Sequence, residues 1–218
     1  MRICADSLTG KTLSFQDREG GSSPTSALHN IRVDLCELKD IRGFVEKHHY
    51  SRSVNGVKIS HCFRFTLNTK VIGAAIFGQL STTAWKKFGK CENDVLELRR
   101  LVCLDDTPKN TESRCISIML RWLKRNTDWK VIVSYADTNF GHSGVIYRAS
   151  NFIFVGESGK DKGFKDPATG KVYHSRALRT KYKGDFKPFV KKLRVKLERG
   201  ELIQVELKPK LCYIFRLI

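Results

Sequence analysis

The chain has 218 residues, 41% of them apolar, with 40 Lys and Arg against 22 Asp and Glu, a net charge of +18. That apolar content excludes a disordered basic protein, and the length suits one compact domain or one domain with an appended element. The charge excess points to a nucleic acid or another extended polyanion as partner, against the plainer reading of a basic surface that serves only solubility.

The seven cysteines, at positions 4, 36, 62, 91, 103, 115 and 212, show no C-x-x-C spacing, so neither a zinc ribbon nor a redox pair is read. Most lie in apolar runs as small buried hydrophobes, and free thiols at this density suit a reducing compartment. The first 30 residues lack the apolar core of a signal peptide, and no apolar run reaches 18 residues. The expectation is a cytoplasmic protein with no membrane span.

In chain order, a short strand unit over residues 1–30 ends in the Gly/Ser/Pro loop DREGGSSPTS. Asp34 to Lys47 reads as a helix with Leu35, Leu38, Ile41 and Val45 on one face and Asp34 as its cap. It runs into His48-His49-Tyr50-Ser51-Arg52. A hairpin follows: HCFRFTL alternates, Asn68-Thr69-Lys70 turns, and VIGAAIFG continues as a more buried strand. Glu97 to Leu104 is a strand, residues 105–110 a loop, and Thr111 to Arg125 a strong amphipathic helix. Val131 to Tyr135 is a continuously apolar strand, as inside a sheet covered on both faces. Gly144 to Ser150 is a short helix and Phe152 to Gly156 a strand. From Lys160 on, 17 Lys and Arg face 6 acidic residues, so these 59 positions hold +11 of the charge. They end in two strands, LIQVEL and KLCYIFRLI, joined at Lys208-Pro209-Lys210. The fold class expected is α/β with a mixed sheet: a core over residues 31–158 and a basic, strand-rich segment over 159–218 suited to nucleic-acid contact.

A cofactor pyrophosphate needs backbone N–H groups and a positive helix end. Residues 107–114, TPKNTESR, offer that at a helix start, with Lys109, Asn110, Ser113 and Arg114 as binding residues; the plainer reading is an ordinary helix capped by Asn110 or Thr111. Asp137 follows an apolar strand at its carboxyl end, where ligands of open α/β sheets bind. It suits a catalytic carboxylate or, equally, a cap for the helix around His142 to Ser150. Tyr147 on that helix can protonate a departing thiolate, or simply pack on the sheet. Phe140, Tyr135 and Trp85 are candidate base-stacking surfaces, with core packing as the alternative.

The order strand, loop, helix, strand, helix, strand over residues 97–156, with V-I-Y-R-A-S-N-F around Tyr147, resembles acyl-CoA-dependent transferases of the GNAT type. Glu97-Leu98-Arg99-Arg100-Leu101-Val102, Pro108-Lys109-Asn110, Ser113-Arg114 and Ser134-Tyr135-Ala136-Asp137-Thr138, with Gly141-His142-Ser143-Gly144, narrow the likeness. Over roughly residues 44–156 the chain resembles the Mom family of DNA-modification proteins of Mu-like phages. The resemblance implies a GNAT-like fold and an enzyme that converts adenine in double-stranded DNA to its N6-carbamoylmethyl (acetamido) form, protecting phage DNA from host restriction. It implies acetyl-CoA or a related acyl-CoA as cofactor and Tyr50, Arg99, Ser113, Asp137 and Tyr147 as functional positions.

Plain thioester attack would give an N-acetyl adenine, bonded through the carbonyl carbon. Forming the bond at a methyl-derived carbon calls for oxidation or a pre-activated donor. His48 or His49, Tyr50 and Asp137 therefore stand as candidate ligands for ferrous iron, the metal set being His49, Tyr50 and Asp137; adjacent histidines at a helix end also cap carbonyls or contact phosphate. Arg52, Lys181, Lys183, Lys187, Lys191 and Lys192 are the expected DNA contacts, and a homodimer is carried as an expectation. Two other readings remain: a GNAT N-acyltransferase acting on a protein or small-molecule amine, and a nucleic-acid-binding protein with a decayed site.

Overall fold

The computed structural model describes residues 26–54, 58–80, 83–159 and 161–217. The expected N-terminal strand unit lies, up to residue 25, outside the described residues. The elements begin with α1 (Ser26–His29), β1 (Ile31–Cys36), α2 (Leu38–His48), β2 (Ile59–Leu67), β3 (Lys70–Gln79) and β4 (Val95–Cys103). They continue with α3 (Thr111–Asn126), β5 (Val131–Ala136), α4 (Val145–Ala149), β6 (Ile153–Glu157), β7 (Asp161–Lys165) and β8 (Val172–His174). Last come β9 (Lys181–Tyr182), β10 (Asp185–Phe186), α5 (Pro188–Glu198), β11 (Ile203–Leu207) and β12 (Leu211–Arg216). Two compact units result. One takes the chain to Tyr135, Gly144–Phe154 and the residues from Tyr213; the other takes Ala136–Ser143 and Val155–Cys212.

Seven strands form a mixed sheet in the order β1-β2-β3-β4-β5-β12-β6. Neighbours from β1 to β4 are antiparallel, and β4 pairs with β5 in parallel. The α/β class expected from the sequence is the one observed. In the first unit the sheet is covered on both faces. Ile41 and Val45 of α2 pack with Cys62, Ala74 and Ile76. On the alternate side, Phe63 meets Trp122 of α3 at 5.4 Å and Phe77 at 5.8 Å between ring centroids. Side chains alternate across a strand, so 62, 74 and 76 face one helix and 63 and 77 face the other. That double cover explains why β3 is buried from Ile72 to Gly78 with no polar side chain.

The helix expected from Asp34 begins instead at Leu38. Ile31 and Val33 are buried and Arg32 exposed, and Asp34 pairs with Arg64 in β1 rather than capping anything. The spacing of Leu35, Leu38, Ile41 and Val45 runs across a strand–helix junction and imitates one helical face. The Glu37 N–H donates to Asp40 Oδ2 at 3.0 Å and so starts the real helix. Cysteines behave as small hydrophobes: Cys62 and Cys115 are fully buried, and burial pushes the Cys36 and Cys103 thiols up to about 12.

The second unit contains a three-stranded sheet, β11-β7-β8, antiparallel throughout. It also holds the β9–β10 ribbon and α5, which starts at Pro188 and buries Val190 and Leu193. Thus β11 pairs with β7, while β12 joins the large sheet. Among the described residues no helix is long and apolar enough to cross a membrane.

Gly144 precedes α4 with φ +75°, and a Cβ there would stand 2.3 Å from the Tyr213 ring. Both the left-handed backbone and the contact demand glycine. Gly144→Ala should therefore cost about 2–4 kcal/mol, read as a lowered urea midpoint at unchanged slope.

Candidate functional site

In the first unit, β4 and β5 pair from Val95↔Val131 to Leu98↔Ser134 and no further, although β4 runs on to Cys103. Against β3 the register shifts between Ile76↔Arg100 and Phe77↔Leu98, so Arg99 is the extra residue of a β-bulge. The strands part at this point, leaving the β4 backbone beyond Leu98 without β5 as a neighbour.

The Ser134 hydroxyl, fully buried, donates to Leu98 O at 3.2 Å and is also hydrogen-bonded to the Tyr147 phenol. Tyr147 is 8% exposed, with Phe152 and Tyr213 against its ring at 5.6 and 5.4 Å. Burial raises its pKa; the Ser134 hydrogen bond opposes this, and the Glu97 charge adds to the rise. The phenol therefore stays protonated at neutral pH, as a proton donor must.

Glu97 Oε2 also takes Arg99 Nη1 at 2.9 Å, and Arg99 Nη1 donates to Gln79 O at 3.0 Å. Arg100 donates from Nε to Ser53 O at 3.0 Å and from Nη1 to Arg99 O at 2.8 Å. Its burial lowers its pKa, and the neighbouring Tyr50 offsets part of that. Tyr50, partly exposed, has its ring 4.2 Å from that of buried His49. The structure thus sets Arg99, Arg100 and Tyr147 beside Glu97 or within its charge field, with Tyr50 next to Arg100. Glu97 and Ser134 had not been singled out as functional; a serine inside the otherwise apolar run VIVSYA was the signal available for Ser134.

At the start of α3, Asn110 is the N-cap residue with φ +69°, and no side chain caps the helix. Thr111 Oγ1 donates to Pro108 O at 2.6 Å and Ser113 Oγ to Asn110 O at 3.1 Å. Side-chain capping by Asn110 or Thr111, the plainer expectation, is therefore not what the structure shows. Lys109 is exposed, and Arg114 keeps a buried Nε with no acceptor among the described residues.

Asp137 belongs to the second unit. Its Oδ1 accepts from Asn139 N at 3.1 Å and Asn139 Nδ2 at 2.9 Å, capping the turn Thr138–Phe140, and Oδ2 lies 2.7 Å from Lys210 Nζ. Thr138 Oγ1 donates to Pro209 O and Asn139 Nδ2 to Lys208 O, so residues 137–139 are clipped to 208–210. Asp137 thus caps this tight turn and not the helix that follows it. Burial works to raise its pKa, but Lys210 and Asn139 prevail and hold the carboxyl below its ordinary range. Such a carboxylate is a weak proton acceptor.

The expected iron site finds no support. Among the described residues no three His, Cys, Asp or Glu side chains group as metal ligands. His49 Nδ1 accepts the Ser51 N–H at 3.1 Å and lies 2.8 Å from its hydroxyl, Asp137 is bound to Lys210, and His48 is exposed with its ring against Phe44. That donor set does not fit iron.

The second unit also carries the expected cations. Lys181, Lys183, Lys187, Lys191 and Lys192 are all exposed, as is Arg52 of the first unit. Lys191 is ion-paired with Asp185. Phe140 is exposed, whereas Tyr135 and Trp85 are half-buried.

A family model described as the Mom protein family matches residues 30–217. The methylcarbamoylase mom of Escherichia phage Mu is 32% identical over 132 residues, 58% of this chain and 54% of that protein. The alignment therefore spans about half the length of that curated relative. Among solved structures, an N-acetyltransferase from Staphylococcus aureus Mu50 is 9% identical with a TM-score of 0.46, covering 86% of this chain and 97% of its own. A Bacillus subtilis acetyltransferase in complex with CoA is 10% identical with a TM-score of 0.44, covering 86% and 99%. At such scores the likeness adds nothing to the strand order described above.

The Asp137–Lys210 pair sets a pH dependence. A depressed carboxylate contributes stability that is complete above its unfolded pKa of about 3.9 and is lost as pH falls through the folded value. Unfolding free energy between about pH 2 and 6 should therefore fall less steeply on acidification in Lys210→Met than in the unaltered protein.

Proposed function

The chain belongs to the Mom protein family, and from that membership we propose that it is a phage DNA-modification transferase acting in the host cytoplasm. Its substrate is adenine in double-stranded DNA and its product the N6-carbamoylmethyl (acetamido) base, which shields phage DNA from host restriction enzymes. One observation carries the reading: a family match over residues 30–217 falls on a chain with a buried, protonated phenol where two parallel strands part.

An acyl-CoA is the donor class the family implies, and the residues fit it. The first turn of α3 has no side-chain cap, so the Glu112 and Ser113 N–H groups and the positive helix end are available to a pyrophosphate, with Lys109, Ser113 and Arg114 beside them. Backbone groups of β4 beyond Leu98, released from β5, supply further hydrogen-bonding partners. When bound, such a donor would supply an activated two-carbon unit; the product further requires an amide nitrogen, which takes the place of the departing thiolate, and a two-electron oxidant that joins the methyl carbon to N6. The chain's own part is to hold a proton at Tyr147 Oη for a departing thiolate and to fix Arg99 through Glu97 and Gln79 O. Asp137, held as a carboxylate by Lys210, acts as a positioning residue for the turn after β5.

The adenine N6 lone pair is delocalised into the ring, and reaching N6 requires the base to leave the stack, at about a few kcal/mol. Phosphate contacts by the exposed cations supply sequence-tolerant affinity that offsets that cost, which suits an enzyme acting over a whole genome.

Nucleoside mass analysis of DNA from cells making the protein tests the reading. An N6-acetyl and an N6-carbamoylmethyl adduct differ by NH and are separated by mass. Unaltered DNA with acetylated amine substrates would replace the proposal with a GNAT N-acyltransferase. Tyr147→Phe should lower modification by about 100-fold or more, the scale of general-acid catalysis, with DNA binding retained and stability lowered by only about 1 kcal/mol, the worth of one hydrogen bond. Neutralising Lys181, Lys183, Lys187 and Lys192 together should weaken binding and flatten its salt dependence, by about one unit of slope per lost phosphate contact. Lys191, tied to Asp185, should contribute less.

A further inference from the structure

The β9–β10 ribbon of the second unit is a hairpin of two-residue strands. Tyr182 pairs with Asp185 and Lys181 with Phe186, leaving Lys183 and Gly184 as a two-residue loop. Both loop residues have positive φ, +49° and +85°, the backbone of a type I′ hairpin turn. A left-handed lysine is uncommon where Asn or Gly would serve, and its cation is carried at the tip.

The base of the ribbon is fastened. Lys181 Nζ lies 5.0 Å from the Phe186 ring centroid and the Arg194 guanidinium of α5 lies 4.6 Å from it. The Asp185 carboxylate is ion-paired with Lys191, also of α5. The tip is not covered. Tyr182 is 65% exposed, more than any other large apolar side chain among the described residues, with Lys183 Nζ 5.7 Å from its ring. The one acid of the ribbon is already neutralised, so the tip presents an aromatic face beside the Lys183 cation.

We infer that Tyr182 is a base-stacking contact, a rigidly mounted aromatic that takes a nucleobase unstacked from the DNA held by the surrounding lysines. The inference rests on the DNA substrate proposed above and adds to it the side chain that reads an opened duplex. Bases in an intact duplex are covered by their neighbours, so an aromatic tip finds a face only where a base is out of the stack or a step is parted. The flanking cations meet the phosphates on either side of such a base. Stacking is sequence-tolerant because every base has a π-face, in keeping with a tip that has no base-edge reader beside it.

The test uses the full chain and two otherwise identical duplexes, one fully paired and one with a single bulged 2-aminopurine. The unaltered protein should bind the bulged duplex more tightly and quench its fluorescence by stacking. Tyr182→Ala should lose about tenfold in affinity for the bulged duplex, the scale of one aromatic–base stack, with binding to the paired duplex and its salt slope unchanged. Tyr182→Phe and Tyr182→Trp should restore the preference and the quenching. Because the side chain is exposed, all variants should melt with the unaltered protein. Tyr182→Ala binding and quenching like the unaltered protein would overturn the inference while leaving the DNA substrate standing. An unaltered protein that binds neither duplex would overturn both.

Discussion

The first unit depends on the place where β4 and β5 stop pairing. Ser134 is a buried hydroxyl in an otherwise apolar strand, and leaving it unsatisfied would cost about 1–3 kcal/mol. Its partners, Leu98 O and the Tyr147 phenol, are therefore fixed with respect to each other. Leu98↔Ser134 is the last rung of the parallel ladder, and the Arg99 bulge follows at once. One hydroxyl thus ties the end of the ladder to a phenol of the aromatic cluster formed by Tyr147, Phe152 and Tyr213. Gly144 sets the start of α4 and leaves room for the Tyr213 ring, so the phenol's position follows from backbone constraints as much as from packing.

Charge is organised on a different principle. Several acids are committed to structural pairs: Asp94 with Lys130, Asp166 with Lys196, Asp185 with Lys191 and Asp137 with Lys210. Glu97 differs, since its Arg99 pair sits beside the phenol whose pKa it raises. The remaining cations carry an excess of +18 over the chain, and most of it falls after residue 160. Such an excess raises the compact state's self-repulsion and is relieved by a polyanion, which makes any affinity it confers dependent on salt.

Much of this was legible in the sequence where a strong period met a clear boundary. The hairpin around Asn68, the apolar run of β5 and the amphipathic α3 are where alternation, continuity and helical spacing place them. The stretch from Asp34 misled because one apolar spacing spans a strand and the helix after it. The second unit was hardly readable: α5 buries only Val190 and Leu193 within a run of lysines, and β7 has one buried residue, Gly163. Tyr147 was visible through its local motif, and Arg99 through its neighbours in β4. Glu97 and Lys210 were not, because a strand glutamate and one lysine among many acquire their meaning only from tertiary neighbours. The iron ligands failed for the same reason: His49 and Asp137 offer donor atoms by type, but in the fold Ser51 and Lys210 occupy them.

The proposed donor site puts the pyrophosphate on the first turn of α3 and the adjoining arm on the β4 backbone freed from β5. Amide hydrogen exchange of the full chain with and without coenzyme A tests that most directly. Exchange should slow at Arg99–Leu101 on β4 and at Glu112 and Ser113 on the first turn of α3, with little change elsewhere in the first unit. Unchanged exchange at both segments under saturating coenzyme A, or protection confined to other strands, would contradict it.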